Sequence, residues 1–124
     1  METNVGLRTI PDDLCRVVCF NRRKIAALRK KLPDAGEVEL KSSVHKVLGH
    51  PGRLAVLSLL TIEECCVCDV ANVLGLPLST ASQHLRALRT ANLIKPRQDG
   101  KLVFYSVTGP AVVRFVAAAS EVVG

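Results

Sequence analysis

Apolar residues recur at helical spacing from the first third of the chain onward. Leu14, Val18, Ile25 and Leu28 fall between basic residues over Leu14 to Lys31, just after Pro11-Asp12-Asp13. A proline followed by acids suits a helix start, so the spacing predicts a helix here, with a break near Phe20-Asn21. "LPDAGEVEL", around Pro33 and Gly36, reads as a linker, and Ser42 or Ser43 as the cap of a short helix through Val47-Leu48. "GHPGR" is a second break, with Pro51 suited to a first helical turn. Leu54, Val56, Leu57, Leu59, Leu60 and Ile62 then cover most sides of a helix, which must be buried.

The next segments carry a recognisable order. "CVCDVANVLGL" predicts a short helix ending at Gly75. "PLSTASQHLRALRTANLI" follows at once, with Ser79 as its expected N-cap and Leu85 and Leu88 as an inward stripe. A short helix, a tight turn with Gly and a second helix make a helix-turn-helix. In "IKPRQDGKLVFYSV" the residues Leu102 to Val107 alternate faces after an Asp99-Gly100 turn, which predicts a β-hairpin. A basic hairpin after a helix-turn-helix is a wing. The last segment, "GPAVVRFVAAASEVV", is apolar around too much of its circumference for a lone surface helix and is expected at a subunit interface. The expected fold is mainly α with a small β-hairpin wing, a winged helix-turn-helix with a subunit interface at its last helix. Residues 1–41 would be an N-terminal arm, helix and linker, and residues 42–124 the DNA-binding and dimerisation domain.

Composition narrows the partners. A chain of 124 residues suits one core, and with three Phe, one Tyr and no Trp that core must be aliphatic. The net charge of +6 and pI near 9.4 favour a polyanion, nucleic acid first, although a merely soluble basic surface has the same balance. The first ten residues hold no signal-like apolar run, and no apolar run approaches the roughly 20 residues that span a bilayer. A cytoplasmic protein without a membrane partner is expected, and its thiols should stay reduced. The three His are scattered and no nucleophile–base–acid set can be named, so an enzyme is not expected.

On the second helix of the motif, Ser79, Thr80, Ser82, Gln83 and Arg86 face away from the leucine stripe, with Arg89 close by. Hydroxyls near a helix N-terminus bind phosphate together with backbone amides. Gln83 has the donor–acceptor pair that reads an adenine edge. His84 would either contact DNA or cap a neighbouring group. Lys95, Arg97 and Lys101 place cations on the wing, beside the groove. A two-fold dimer with recognition helices about 34 Å apart would read an imperfect palindrome in operator DNA.

The cysteines pose a separate question. Three of the five fall within "EECCVCDVAN", as Cys65, Cys66 and Cys68. Cys66 and Cys68 begin the first helix of the motif. In a regular helix they would diverge by about 200°, but at a frayed start they can converge on one ion. The helix N-terminus also favours thiolate. Two thiolates do not close a tetrahedral shell. Upstream, "DLCRVVCFN" places Cys15 and Cys19 four apart on one helical face. Two such pairs make a candidate S4 set for Cd(II), Pb(II), Zn(II) or Bi(III). The same two residues also fit an apolar stripe with Val18.

The stretch "ECCVCDVANVLGLPLSTASQHLRALRTANLIKPRQDGKLVFYSV", with "VHKVLGHPGRLAVLSLL" upstream, resembles the ArsR/SmtB family of bacterial metal-sensing repressors over residues 42–123. The resemblance implies a homodimeric winged helix that represses in the metal-free state and leaves its operator when metal binds. Within that family the cadmium- and lead-responsive CadC-type branch carries C-x3-C in an N-terminal extension and CVC at this helix. The matching residues here are Cys15, Cys19, Cys66 and Cys68. This implies that the arm of one subunit reaches the partner's helix. Cys65 stands where that branch has an aliphatic residue, and we read it as a core or boundary residue. Its presence keeps open a three-cysteine site for As(III) or Sb(III). A structural zinc and a thiol redox switch are further alternatives. Many relatives also bind zinc between their C-terminal helices through Asp, His and Glu. Here the last helix has only Glu121 and no His, so no such site is expected.

Overall fold

The computed structural model describes residues 21–123, and the chain divides after Asp34 into two units. Cys15 and Cys19, and the upstream half of the first predicted helix, lie outside the described residues. Helix α1 (Arg22–Lys31) begins where the break was expected. The Asn21 side chain caps it, accepting from the N–H groups of Arg23 at 3.0 Å and Lys24 at 3.2 Å. Its last turn carries Arg29, Lys30 and Lys31, the sign that complements the helix C-terminus.

The second unit contains α2 (Ala35–Leu48), α3 (Pro51–Ile62), β1 (Cys65–Cys66), α4 (Val67–Leu74), α5 (Leu78–Thr90), β2 (Ile94–Asp99), β3 (Leu102–Val107) and α6 (Pro110–Val123). The expected linker is therefore mostly helix. Gly36 falls in the first turn of α2, where it disrupts least, and Glu37 and Lys41 pair at 2.8 Å one turn apart. Ser43 lies inside the helix and does not cap it; its hydroxyl donates back to the Leu40 carbonyl at 2.7 Å. Helix α3 has Pro51 in its first turn, and the Gly52 N–H donates to His50 Nδ1 at 3.0 Å.

The core lies where α3, α4, α5 and the base of the wing meet. Val56, Leu57, Val70, Leu85, Leu88 and Ile94 are all at most 2% exposed. Burying an aliphatic side chain of this size is worth roughly 1.5–3 kcal/mol, so these few contacts dominate the unit's stability. The sheet has the order β1-β3-β2 and is antiparallel throughout. Asp99 pairs with Leu102, so the two-residue hairpin loop is Gly100-Lys101, one position later than the sequence suggested. Gly100 has φ +63°, the value such a loop requires at its first position. Pro96 is tolerated because β2 is an edge strand. At the base of the wing the Thr108 N–H donates to the Leu93 carbonyl at 3.1 Å, and its hydroxyl donates to the Asn92 carbonyl at 3.0 Å. Among the described residues no helix is long and apolar enough to cross a membrane.

Candidate nucleic-acid interface and cysteine cluster

Helix α4 ends at Gly75, whose left-handed backbone (φ +65°) lets the chain reverse within two residues into α5. The N-cap of helix α5 lies two residues before the expected Ser79. It is Pro77, whose carbonyl accepts from the Ala81 N–H at 3.0 Å, and Ser79 sits inside the first turn. Ala81, His84, Leu85 and Leu88 form the inward stripe at helical spacing. That stripe fixes the outer face: Ser79, Gln83, Arg86 and Arg89 are exposed, and Thr80 and Ser82 are half-buried.

His84 departs from this outward set. It is 8% exposed, and its ring centroid lies 4.9 Å from that of His50 at the start of α3. Burial holds its pKa below the ordinary value, and the neighbouring His50 and Arg53 push in the same direction. A Cβ on Gly52 would come within 2.5 Å of His84 Nε2, so any side chain there would have to displace the His84 ring. His84 thus packs α5 against α3 and offers no donor at the surface.

The wing completes the interface. A polar cleft of about 130 Å³ between α5 and β3 is lined by Ser82, Leu85, Arg86, Arg89 and Tyr105. Two guanidinium groups and two hydroxyl-bearing side chains around one cleft suit a backbone phosphate. Tyr105 was missed in the sequence; its side in the hairpin alternation was the available signal. Lys95 and Lys101 are exposed, Lys101 in the hairpin loop. Arg97 is also exposed but engaged. Its Nε and Nη2 donate to the Glu64 carboxylate at 2.9 and 2.7 Å, and its guanidinium lies 5.2 Å from the Phe104 ring centroid. This charge-assisted pair holds the Glu64 carboxyl below the usual carboxylate range.

The sheet separates the adjacent cysteines. Cys65 pairs with Tyr105 and Cys66 with Phe104 in the antiparallel register, so period two sends them to opposite faces. Cys65 belongs to the main core cluster, and its thiol donates to the Glu63 carbonyl at 3.5 Å. Burial pushes that thiol's pKa up, and nearby Asp69 adds to the effect. Cys66 is the N-cap of α4, where the Asp69 carboxylate accepts its backbone N–H at 3.1 Å. Cys68 is exposed in the first turn of the same helix. Cys66 and Cys68 therefore place two soft donors at one helix N-terminus, a start that suits a thiophilic ion but supplies two ligands only. Among the described residues no three Cys, His, Asp or Glu side chains converge on a metal-sized site.

Known proteins share this fold. Residues 50–95 match the family model of bacterial regulatory proteins of the arsR family. The chain is 35% identical over 105 residues to a cadmium resistance transcriptional regulatory protein CadC homolog from Staphylococcus aureus, covering 84% of this chain and 86% of that one. Among solved structures, NolR from Sinorhizobium fredii aligns with a TM-score of 0.66 at 34% identity, over 73% of this chain and 95% of that one. The homodimeric winged helix-turn-helix DNA-binding domain of a possible ArsR-family regulator from Mycobacterium bovis aligns with a TM-score of 0.65 at 30% identity, over 86% and 90%.

Proposed function

This chain belongs to the ArsR family of bacterial regulatory proteins and is a winged helix-turn-helix transcriptional regulator, and from that premise we propose that it is a metal-responsive repressor. The metal-free homodimer binds an imperfect-palindrome operator and leaves it when a soft ion binds. Cd(II) or Pb(II) is the leading inducer, with Zn(II) and Bi(III) as weaker matches to a thiolate set. Ser79, Thr80, Ser82 and Arg86 hold the backbone, Gln83 reads a base edge, and Arg97 and Lys101 bring the wing to the adjacent phosphates. His84 supports this face from behind.

One observation carries the metal reading. Cys66 and Cys68 start the helix that leads into the recognition helix through a single tight turn, while Cys66 is also paired with the wing strand. The donors thus sit on the helix that leads into α5 and beside the wing strand. The similarity to a cadmium resistance regulator supports the same choice of ion. Cys15 and Cys19 are proposed to complete the shell, reaching the partner subunit's helix from the arm. Cys66 is buried as well, but Cys65 lies on the opposite face of the sheet within the main core cluster, which supports its exclusion from the set and weighs against a three-cysteine arsenic site.

Operator binding by the reduced protein tests the proposal, measured metal-free and with Cd(II), Pb(II), Zn(II) or As(III). Thiolate-to-metal charge-transfer absorption should rise to two ions per dimer. Cys66→Ser or Cys68→Ser should remove most of it and Cys65→Ser very little. A double Cys15→Ser, Cys19→Ser variant should bind operator normally yet release it poorly when Cd(II) is added. Coupling is reciprocal, so operator DNA must weaken Cd(II) binding by the same factor. Release of that double variant as readily as wild type would sink the arm's role.

A further inference from the structure

The wing carries an acidic competitor for its own arginine. Arg97 and Phe104 are directly paired across β2 and β3, and Phe104 is paired with Cys66 across β3 and β1, so all three share one face. Glu64 lies two residues before Cys66, close enough to that face for its carboxylate to take the Nε–Nη2 edge of Arg97 with two hydrogen bonds. The remaining Nη1 is 3.8 Å from Asp99. One guanidinium therefore stands between two carboxylates, and the site has no net positive charge to offer while the pair is closed. A guanidinium fork accepts a carboxylate or a phosphate in the same bidentate geometry, but one edge cannot hold both.

We propose that Glu64 competes with the DNA backbone for Arg97 and so limits the wing's affinity for duplex DNA in the metal-free protein. The proposal rests on the reading that the wing lies on DNA phosphates and is independent of the metal reading. The pair suits this role because it can open. Its side chains are 53% and 33% exposed, so water screens the attraction. The Phe104 ring keeps the guanidinium beside the strand when the carboxylate lets go. Glu64 acts through Arg97 and is a positioning residue, not a DNA contact.

A salt series on metal-free, reduced protein tests this, with a mixed-sequence duplex of about 30 bp, three helical turns, as the probe. Glu64→Gln should bind about fivefold tighter, with the log–log salt slope steeper by about one, the signature of one more phosphate contact. Glu64→Asp should also tighten binding, because the shortened side chain keeps its charge but withdraws the carboxylate. Removal of a negative charge cannot explain that result. Glu63→Gln is the control. It removes the same charge one residue away, is not a partner of Arg97, and should change affinity far less. Arg97→Ala should weaken binding and flatten the slope by about one. In that background Glu64→Gln should gain no more than Glu63→Gln does. Thermal melts check that each variant is folded. If Arg97→Ala weakens binding but Glu64→Gln and Glu64→Asp bind no tighter than Glu63→Gln, the competition is overturned and the wing contact stands. If Arg97→Ala changes neither affinity nor slope, the wing contact fails and the competition fails with it.

Discussion

Helices α5 and α6 are almost equal in length, 13 and 14 residues, and meet opposite fates. The first is the more polar, with three arginine or histidine side chains and a run of hydroxyls, yet it buries Ala81, His84, Leu85 and Leu88. The second has only Arg114 and Glu121 as charges and has no fully buried residue, only Val112 and Val116 packing partly against the core. Phe115 is 38% exposed, and Val122 and Val123 are more than twice as open. Together α6, α2 and α3 line an apolar groove of about 460 Å³ that includes His45, Leu48, Leu54, Phe115 and Val122. Apolar content sets what burial a helix can gain; a facing surface decides whether it gains it. The narrow stripe of α5 meets α3 and α4 in its own chain. The broad belt of α6 outruns what one chain supplies, which supports a second subunit as its cover in the proposed dimer.

Breaking each helix should therefore give different symptoms. Leu88→Ala, at a position with no exposure, should cost about 3–4 kcal/mol of unfolding free energy in a urea titration, because the core cannot collapse into the space. A loss below about 1 kcal/mol would mean that α5 is not anchored as described. Phe115→Glu on α6 should do the reverse. It should leave the monomer's fold largely intact, shift sedimentation from dimer to monomer, and weaken binding to a two-half-site operator by about a hundredfold through loss of the linked second contact. An unchanged sedimentation coefficient would refute the dimer face.

The same contrast explains what could be read in advance. The inward stripe of α5 and the alternation of β3 are local patterns, and both are visible in the letters. Gly75 and Gly100 mark the two turns because each needs positive φ. The misplaced features depend on partners. Pro33 and Gly36 looked like a linker, but the Glu37–Lys41 pair and the packing of Val44, Val47 and Leu48 against the core carry helix α2 through. Strand β1 has two residues and no periodicity; only its pairing with Phe104 and Tyr105 makes it a strand. The Glu64–Arg97 pair spans 33 positions and follows from that register, so no spacing rule could find it. His84 was different: positions 81, 84, 85 and 88 are one helical stripe, and strict use of that periodicity would have turned it inward.

A smaller effect probes the outer face of α5. Gln83→Ala should leave stability and the salt slope unchanged and relax base preference at one position of each half-site by about 1–3 kcal/mol. Competition with single-base operator variants measures it. If all sequences weaken equally, Gln83 does not read a base.

The smallest expected effect concerns the single polar residue in the inward stripe. His84 is buried beside His50 and Arg53, and its pKa lies below the ordinary histidine value of about 6.5. In the folded chain a proton on this ring must sit in a low-dielectric site next to Arg53, while in the unfolded chain water solvates it freely. Between the folded and unfolded pKa values the unfolded state therefore binds more protons, and stability rises with pH across that window. Its contribution is fully present above about pH 6.5 and is lost as pH falls toward the folded value. Urea titrations from about pH 7.5 to about pH 5.5 should show wild type losing stability more steeply than His84→Gln, by up to about one proton in the linkage slope. The comparison cancels groups remote from position 84, which both proteins share. Parallel curves would mean that His84 protonates as easily inside the fold as outside it, and that α5 is held against α3 by its aliphatic stripe alone.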